Sequence, residues 1–162
     1  SLLNCPDAQA VIARLNELEA PSIFDYNQAL KVCARDGGNV EAARRVMCLM
    51  EEAGVRPDEF SFNTLLDSIA KSAQRRGEAA FSEGAQVLSD MTEGGVPPNL
   101  YSYNALLNIA AKGAGLRGNK LWVTRGLQVL QMMQAQGVSP DVVSYNVLID
   151  ACARAAGVKG SG

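Results

Sequence analysis

A motif that recurs four times constrains the fold of this chain more than any other feature. It sets an asparagine between an aromatic residue and an apolar pair, and the four asparagines are Asn27, Asn63, Asn104 and Asn146. Their spacings are 36, 41 and 42 residues. A second motif, Gly–Val–x–Pro followed by Asp or Asn, ends at Asp58, Asn99 and Asp141. Because the two motifs alternate in constant order, we expect similar units stacked on one another.

Each repeat has the pattern of two helices joined by a turn. The apolar residues after the asparagine follow helical spacing, as in Leu65, Leu66 and Ile69, and a second helical run follows in each unit. The glycine of the closing motif stands where a helix needs a left-handed residue at its end, and the proline after it prevents the helix from continuing. No stretch shows sustained period-two alternation, so the sequence predicts an all-α fold.

The repeats divide the chain into three full units between two half-units. The predicted boundaries are 7–22, 23–58, 59–99, 100–141 and 142–156. The second and third full units are longer because of extra residues, roughly AKSAQRRGEAA (70–80) and KGAGLRGNK (112–120). We place both insertions in the turn between the two helices of their unit. Neither end carries the polar face of a terminal repeat, so we expect an excerpt of a longer array.

The aromatic–Asn–x–Leu–Leu/Ile opening and the Gly–Val–x–Pro–Asp/Asn close resemble the pentatricopeptide repeat family. The segments GVSPDVVSYN and SYNVLIDACARAAG are especially similar to its consensus. The likeness covers residues 23–156 well and residues 7–22 loosely. No unit has the Trp–x2–Leu–Gly–x2–Tyr signature of the tetratricopeptide repeat. The resemblance implies a helical-repeat solenoid, a right-handed superhelix of hairpins, that binds single-stranded RNA with one base for each repeat.

In that family two residues of each repeat dominate base recognition. The resemblance transfers this role to the pairs Asn27–Asp58, Asn63–Asn99 and Asn104–Asp141, and to Asn146 with a partner beyond the chain. Family rules imply uridine for the first and third pairs and a pyrimidine for the other two positions. An amide both donates and accepts hydrogen bonds, so it can pair with the edge of an unstacked base. The last residue of each closing motif also suits a helix N-cap, and both interpretations stay open.

Two further columns lie at fixed distances from the asparagines. Three residues before them stand Phe24, Phe60, Tyr101 and Val143, a place that the family uses to sandwich bases. Packing between repeats is the alternative role for this column. Eight residues after the asparagines stand Arg35, Lys71, Lys112 and Arg154. A row of cations suits the phosphates of a bound strand, and a favourable interaction with the helix C-terminus is the alternative.

The overall charge argues against a nucleic-acid partner. Fifteen Lys and Arg stand against 17 Asp and Glu, which gives a net charge of -2, whereas nucleic-acid-binding domains are usually basic. The competing interpretation is therefore a scaffold within a large ribonucleoprotein or protein assembly, since solenoids offer long concave surfaces to any partner. A scaffold does not explain why an amide, an aromatic residue and a cation recur in register on one helix. We therefore favour RNA binding.

Other kinds of chemistry find little support in the sequence. The chain has no histidine, its four cysteines show no CxxC spacing, and no phosphate-binding loop or nucleophile elbow is present. We therefore expect no enzyme activity, no metal, no cofactor and no small-molecule substrate. No apolar run reaches the length of a membrane span, and no leader peptide is visible, so membrane insertion is not expected. The resemblance alone implies an organelle, either a mitochondrion or a chloroplast.

Overall fold

The part of the chain described by the computed structural model comprises residues 1–114 and 120–155, with side chains for 1–112 and 121–153. After a 3-10 turn at Leu2–Asn4, this part forms eight α-helices and no strand. The helices are α1 (Ala8–Glu17), α2 (Ile23–Arg35), α3 (Val40–Glu52), α4 (Glu59–Arg76), α5 (Glu78–Glu93), α6 (Leu100–Ala114), α7 (Lys120–Ala135) and α8 (Val142–Ala155). The all-α class predicted from the repeat pattern is confirmed.

The helices form two rows. In the first row α2, α4, α6 and α8 pack directly on one another, and α3, α5 and α7 each form a hairpin with the helix before it. Among the described residues, the backbones of α3, α5 and α7 do not approach one another closely. Helices α5 and α7 meet through long side chains: Arg125 pairs with Glu78 at 2.7 Å, and Trp122 packs edge-on against Phe81. Because the first row is continuous and the second is spread apart, the first row lies on the inner side of a curved stack. The chain is therefore a helical-repeat solenoid.

The three glycines of the closing motifs end the second helices in the same way. Gly54, Gly95 and Gly137 have φ angles of 74°, 77° and 72°. The amide of the valine after each glycine donates to the carbonyl of a fully buried methionine at 2.8–2.9 Å: Val55 to Met50, Val96 to Met91 and Val138 to Met133. This arrangement closes the helix and fixes the direction in which the chain enters the next unit.

The inserted residues of the second unit do not form a turn, and that prediction is wrong. Helix α4 continues to Arg76 and α5 begins at Glu78, so only Gly77 lies between them. The segment 70–80 lengthens both helices instead: α4 has 18 residues and α5 has 16, against 13 in each of α2 and α3. The cause is its content of Ala, Arg and Glu, which favour helix, and Ala73 and Ala80 are fully buried. The corresponding prediction for the third unit falls largely on residues 115–119, outside the described residues.

Two glycines allow helices of the two rows to approach closely. A Cβ atom at Gly84 of α5 would lie 2.9 Å from Cδ1 of Ile109 on α6. At Gly126 of α7 it would lie 2.5 Å from Cδ2 of Leu148 on α8. The absence of a side chain at these positions therefore brings each second helix against the first helix of the following unit.

Candidate nucleic-acid interface

A groove of about 950 Å³ lies along the inner row of helices. Its walls come from α2, α4 and α6, and so from three successive units. Members of all three predicted columns line it together: Asn63 from the asparagines, Phe60 and Tyr101 from the aromatic column, and Arg35, Lys71 and Lys112 from the cations. The fold therefore gathers residues that are up to 77 positions apart in sequence on one concave surface.

The amide of Asn27 is held in one orientation by the next unit. Its Nδ2 donates to Oδ1 of Asp58 at 3.2 Å, and its Oδ1 accepts a hydrogen bond from Oγ of Ser61 at 2.6 Å. The same Asp58 oxygen caps α4 by accepting from the amide of Ser61 at 2.9 Å. The capping interpretation of Asp58 is therefore correct, and the carboxylate also orients the asparagine directly, without an intervening water.

The third full unit repeats this arrangement. Asn104 Nδ2 donates to Asp141 Oδ1 at 3.2 Å, and Ser144 Oγ donates to Asn104 Oδ1 at 2.5 Å. Asp141 caps α8 by accepting from the amide of Ser144 at 2.9 Å. An amide held in this way keeps one N–H and one oxygen lone pair available. The first and third units thus present the same hydrogen-bonding groups on the inner row of helices, although Asn63 is the one predicted asparagine among the described residues that line the groove itself.

The sequence analysis missed the serines that complete these clusters. Ser61, Ser102 and Ser144 stand two residues before Asn63, Asn104 and Asn146, and all three are fully buried. A buried hydroxyl requires hydrogen-bond partners, and each serine finds them in the asparagine of the preceding unit and in the cap of its own helix. The recurrence of Ser–aromatic–Asn was the signal that could have identified this column. Asp25 takes the corresponding place in the first unit.

The second unit departs from the pattern. Asn99 caps α6 by accepting from the amide of Ser102 at 3.0 Å, and Ser102 Oγ donates to Asn63 Oδ1 at 2.7 Å. Asn99 Nδ2, however, donates to Oε1 of Glu59 at 2.6 Å. Within the described part of the chain, Nδ2 of Asn63 has no hydrogen-bond partner. The predicted pair Asn63–Asn99 is therefore joined only through Ser102, and its free groups differ from those of its neighbours.

The aromatic column is exposed on the inner row. Phe24, Phe60, Tyr101 and Val143 are 65%, 46%, 52% and 54% exposed. Packing between repeats therefore covers only part of each side chain, and the remaining faces are open to a ligand. Tyr101 is further fixed because its hydroxyl donates to both carboxylate oxygens of Asp67, at 2.7 and 2.8 Å. Burial and the adjacent Asp67 raise the pKa of Tyr101 to about 12, so the hydroxyl remains a donor at neutral pH.

Two of the predicted phosphate-binding cations bind backbone carbonyls of an earlier part of the chain. Arg35 donates to the carbonyls of Leu3 and Cys5 at 3.1 and 2.7 Å, and Lys112 Nζ donates to the carbonyl of Ala70 at 2.9 Å. These contacts fix the position of the charge and still leave further donors on both groups. Lys71 is exposed beside the groove. The side chain of Arg154 lies outside the described residues.

The groove is positively charged although the whole chain is slightly acidic. It is lined by the predicted cations Arg35, Lys71 and Lys112, and also by Lys31, which the sequence analysis missed. Among the described side chains, two carboxylates, those of Glu59 and Asp67, line it as well. Lys31 lies one helical turn before Arg35, a spacing that puts both on one face of α2. The net charge of -2 therefore does not describe the surface that a ligand would meet.

The repeat geometry has a direct counterpart among protein families. A family model described as the pentatricopeptide repeat domain matches residues 18–72, 82–113 and 119–155. The chain belongs to the pentatricopeptide repeat family. The matched segments contain α2, α3, α7 and α8 completely and most of α4, α5 and α6, so the family and the solenoid describe the same part of the molecule.

Solved structures of a pentatricopeptide repeat protein share this fold. One is PPR10 in complex with an 18-nt psaJ RNA element, with a TM-score of 0.71 and 23% identity over 99% of the present chain. Another is PPR10 from maize, with a TM-score of 0.67 and 25% identity over 94% of the chain. The present chain spans 23% and 20% of the lengths of those chains. None of the curated protein sequences compared with it matches significantly.

The described part of this pentatricopeptide repeat protein has neither a cluster of metal ligands nor a membrane-spanning helix. Across residues 1–114 and 120–155, no three His, Cys, Asp or Glu side chains are grouped so that they could hold a metal ion. In the helices described, none combines the length and the apolar character required to cross a membrane.

Acid is expected to weaken the first asparagine cluster of this repeat protein. Burial raises the pKa of Asp58, but hydrogen bonds from Ser61 and Asn27 outweigh it and hold the pKa below its usual value. The contribution of Asp58 to stability is thus present above its unfolded pKa of about 3.9 and is lost as the pH falls through the folded pKa.

We expect Asp58→Asn, which copies the residue found at Asn99, to reduce the stability lost between about pH 6 and pH 3. The difference should stay below about 1 kcal/mol because the carboxylate is largely solvated. The measurement is urea unfolding of both proteins at the two pH values. An identical loss of stability in both proteins would contradict the assigned role.

Proposed function

We propose that this protein binds single-stranded RNA along the groove, with one nucleotide for each repeat and a preference for pyrimidines, uridine above all. The observation that supports this most is the asparagine cluster, built in the same way in the first and third units. Each such amide is fixed by a buried serine and a carboxylate, and it keeps a donor and an acceptor for the edge of a base.

The neighbouring columns supply the other contacts that an RNA strand needs. Phe60 belongs to the unit that carries Asn63 and Tyr101 to the next unit, and the exposed parts of both side chains line the groove, so a base can stack between them. The cations Arg35, Lys71 and Lys112 follow two helical turns beyond the asparagines, where the phosphates of an extended strand would run. The PPR10 structure in complex with RNA supports the proposal by analogy.

The proposed footprint is about four nucleotides. Asn27 with Asp58 and Asn104 with Asp141 would each read uridine, whereas Asn63 with Asn99 would read a pyrimidine. Asn146, which is exposed on α8, would read a fourth pyrimidine. On the habit of the family we further propose a role in RNA metabolism in a mitochondrion or chloroplast. The proposal includes no catalytic step, because recognising an RNA base needs only groups that bind it.

The test is fluorescence anisotropy with labelled oligo-U, oligo-A and oligo-G at two salt concentrations. We expect oligo-U to bind most tightly. Three phosphate contacts on a single strand give a salt slope of about -2, so affinity should fall about 20-fold when salt is raised fourfold. A protein that is folded by circular dichroism but binds the three RNAs equally, or not at all, would contradict the proposal.

A scaffold for other proteins is the second candidate. Two of the predicted phosphate-binding groups favour it. Arg35 and Lys112 donate to backbone carbonyls of earlier parts of the chain, and these hydrogen bonds are a structural role. The binding test separates the two functions, because a scaffold has no reason to distinguish uridine from adenosine. Equal binding or none in that test would make the scaffold the leading function.

A further inference from the structure

Glu59 breaks a column that is otherwise apolar. The first residues of the other units are Ile23, Leu100 and Val142, whereas the second full unit begins with a glutamate. Glu59 lies four residues before Asn63 on α4, so the two side chains share one helix face. It is exposed and lines the groove beside Asn63 and Tyr101. A carboxylate at this place therefore reaches the surface that a bound base would meet.

The contacts of Glu59 distinguish the second unit from its neighbours. In the first unit Asp58 accepts from Nδ2 of Asn27 and so occupies one of its two hydrogens. In the second unit Glu59 accepts from Nδ2 of Asn99 at 2.6 Å, and both hydrogens of Asn63 Nδ2 are unused among the described contacts. In the first unit the carboxylate is the last residue, Asp58, and it bonds the asparagine near the start of the unit. In the second unit the carboxylate is the first residue, Glu59, and it bonds the asparagine that ends the unit.

The hydroxyl of Ser102 completes the orientation of both amides. Ser102 Oγ donates to Oδ1 of Asn63 at 2.7 Å, and Oδ1 of Asn99 accepts from the amide of Ser102 at 3.0 Å. The oxygens of both asparagines therefore point at Ser102, and their nitrogens point away from it. The groups left for a base are the Nδ2 donors of Asn63, the second Nδ2 hydrogen of Asn99, and the carboxylate of Glu59, which only accepts.

We propose that Glu59 is a third specificity-determining residue of the second unit, and that it selects a base with an exocyclic amino group beside a ring-nitrogen acceptor. Cytosine is the pyrimidine with this edge: N3 accepts from Asn63 Nδ2, and the N4 amino group donates to Glu59. Uracil places a carbonyl oxygen where cytosine has its amino group, and a carboxylate repels that oxygen. This inference rests on the proposed function and assigns one base of the footprint.

The experiment compares uridine octamers that are uniform or carry one central cytidine or adenosine. A short array can slide along oligo-U, so a single substituted base can reach the second unit. We expect the cytidine octamer to bind about fivefold or more tightly than the uniform one. Glu59→Leu, which copies Leu100, should reduce this ratio to within about twofold. Glu59→Gln should reduce it as well, because a glutamine amide can donate to the carbonyl oxygen of uracil as readily as it accepts from the amino group of cytosine.

The ratio of affinities is the readout because removing a carboxylate raises the affinity for every RNA. Glu93→Leu is the matched control: Glu93 is an exposed glutamate at the end of α5, away from the groove, and its loss should leave the ratio unchanged. If the adenosine octamer equals the cytidine octamer and both respond to Glu59→Leu, the selection of the amino group is supported. If neither responds, the inference is overturned.

A second measurement needs no RNA. In the ¹⁵N–¹H spectrum of the free protein, Glu59→Leu should shift the side-chain amide signal of Asn99, and Glu93→Leu should not. An unshifted Asn99 signal overturns the inference. If the wild-type protein binds uridine RNA and only the cytidine ratio fails to respond, Glu59 is not a specificity residue and the proposed function stands. If no RNA binds, both proposals fail together.

Discussion

Replacing Asn63 and Asn104 together by alanine is expected to weaken binding to oligo-U by about 100-fold or more. Each change removes the amide that would pair with a base. The hydroxyls of Ser102 and Ser144 lose their shorter hydrogen bond and keep the acceptors in their own helix caps, Asn99 and Asp141, at 2.9 Å. The cations are untouched, so the slope of affinity against salt should stay the same while the preference for oligo-U over oligo-A disappears. Anisotropy titrations at two salt concentrations measure both quantities.

The control for this variant removes two amides from the second row. Gln86 on α5 and Gln131 on α7 are exposed and do not line the groove. The double change Gln86→Ala and Gln131→Ala should alter the affinity less than about twofold, since no phosphate or base contact is lost. An equal loss in both double variants, or an unchanged base preference in the asparagine variant, would refute base reading by these residues.

Gly38→Ala is expected to destabilise the solenoid by about 3 kcal/mol or more, whereas Gly37→Ala should cost only about 1 kcal/mol. Both glycines have positive φ, 69° and 63°, so both substitutions strain the backbone. At Gly38 the new Cβ would also lie 2.6 Å from the carbonyl oxygen of Ser68 and 2.7 Å from Cβ of Lys71. At Gly37 nothing lies within 4 Å.

The comparison isolates one contact between units, because the two glycines differ in little else. Urea unfolding followed by far-ultraviolet circular dichroism gives the stability of both variants. Gly38→Ala should also weaken RNA binding, since α4 has to move away from α2 and takes Lys71 with it, and Gly37→Ala should leave binding unchanged. Equal destabilisation by the two substitutions would show that the close approach of the turn to α4 contributes nothing.

The insertion in the second unit shows that the structure of extra residues cannot be predicted by comparing the lengths of the units. The extra residues 70–80 contain Gly, Lys and Arg, which suggested an exposed turn. They also contain Ala73 and Ala80, whose small apolar side chains continue the buried face of α4 and α5. Helix propensity and burial act together there, and the turn shrinks to Gly77. Sequence length alone could not decide whether added residues lengthen the helices or the turn.

The sequence by itself determined the repeat, the helical class, the starts of the first helices and the ends of the second helices. These signals are local: a cap such as Asp58 acts on the first turn of its own helix, and a glycine such as Gly54 ends the helix that precedes it. A chain that repeats these signals needs no distant contact to define its hairpins. The family resemblance followed from the same local motifs, and the family is confirmed.

Only the tertiary structure decided how the site residues meet. Asn27 and Asp58 are 31 positions apart, and Glu59 and Asn99 are 40 apart, so their contacts depend on how α2, α4 and α6 stack. The pattern within one unit cannot show that the carboxylate for the second unit comes from Glu59 rather than from its last residue. Hydrogen bonds act over about 3 Å. Each pair joins the two ends of one unit, so it forms only when the first helix of that unit packs against the first helix of the next, and the local sequence motifs do not describe that packing.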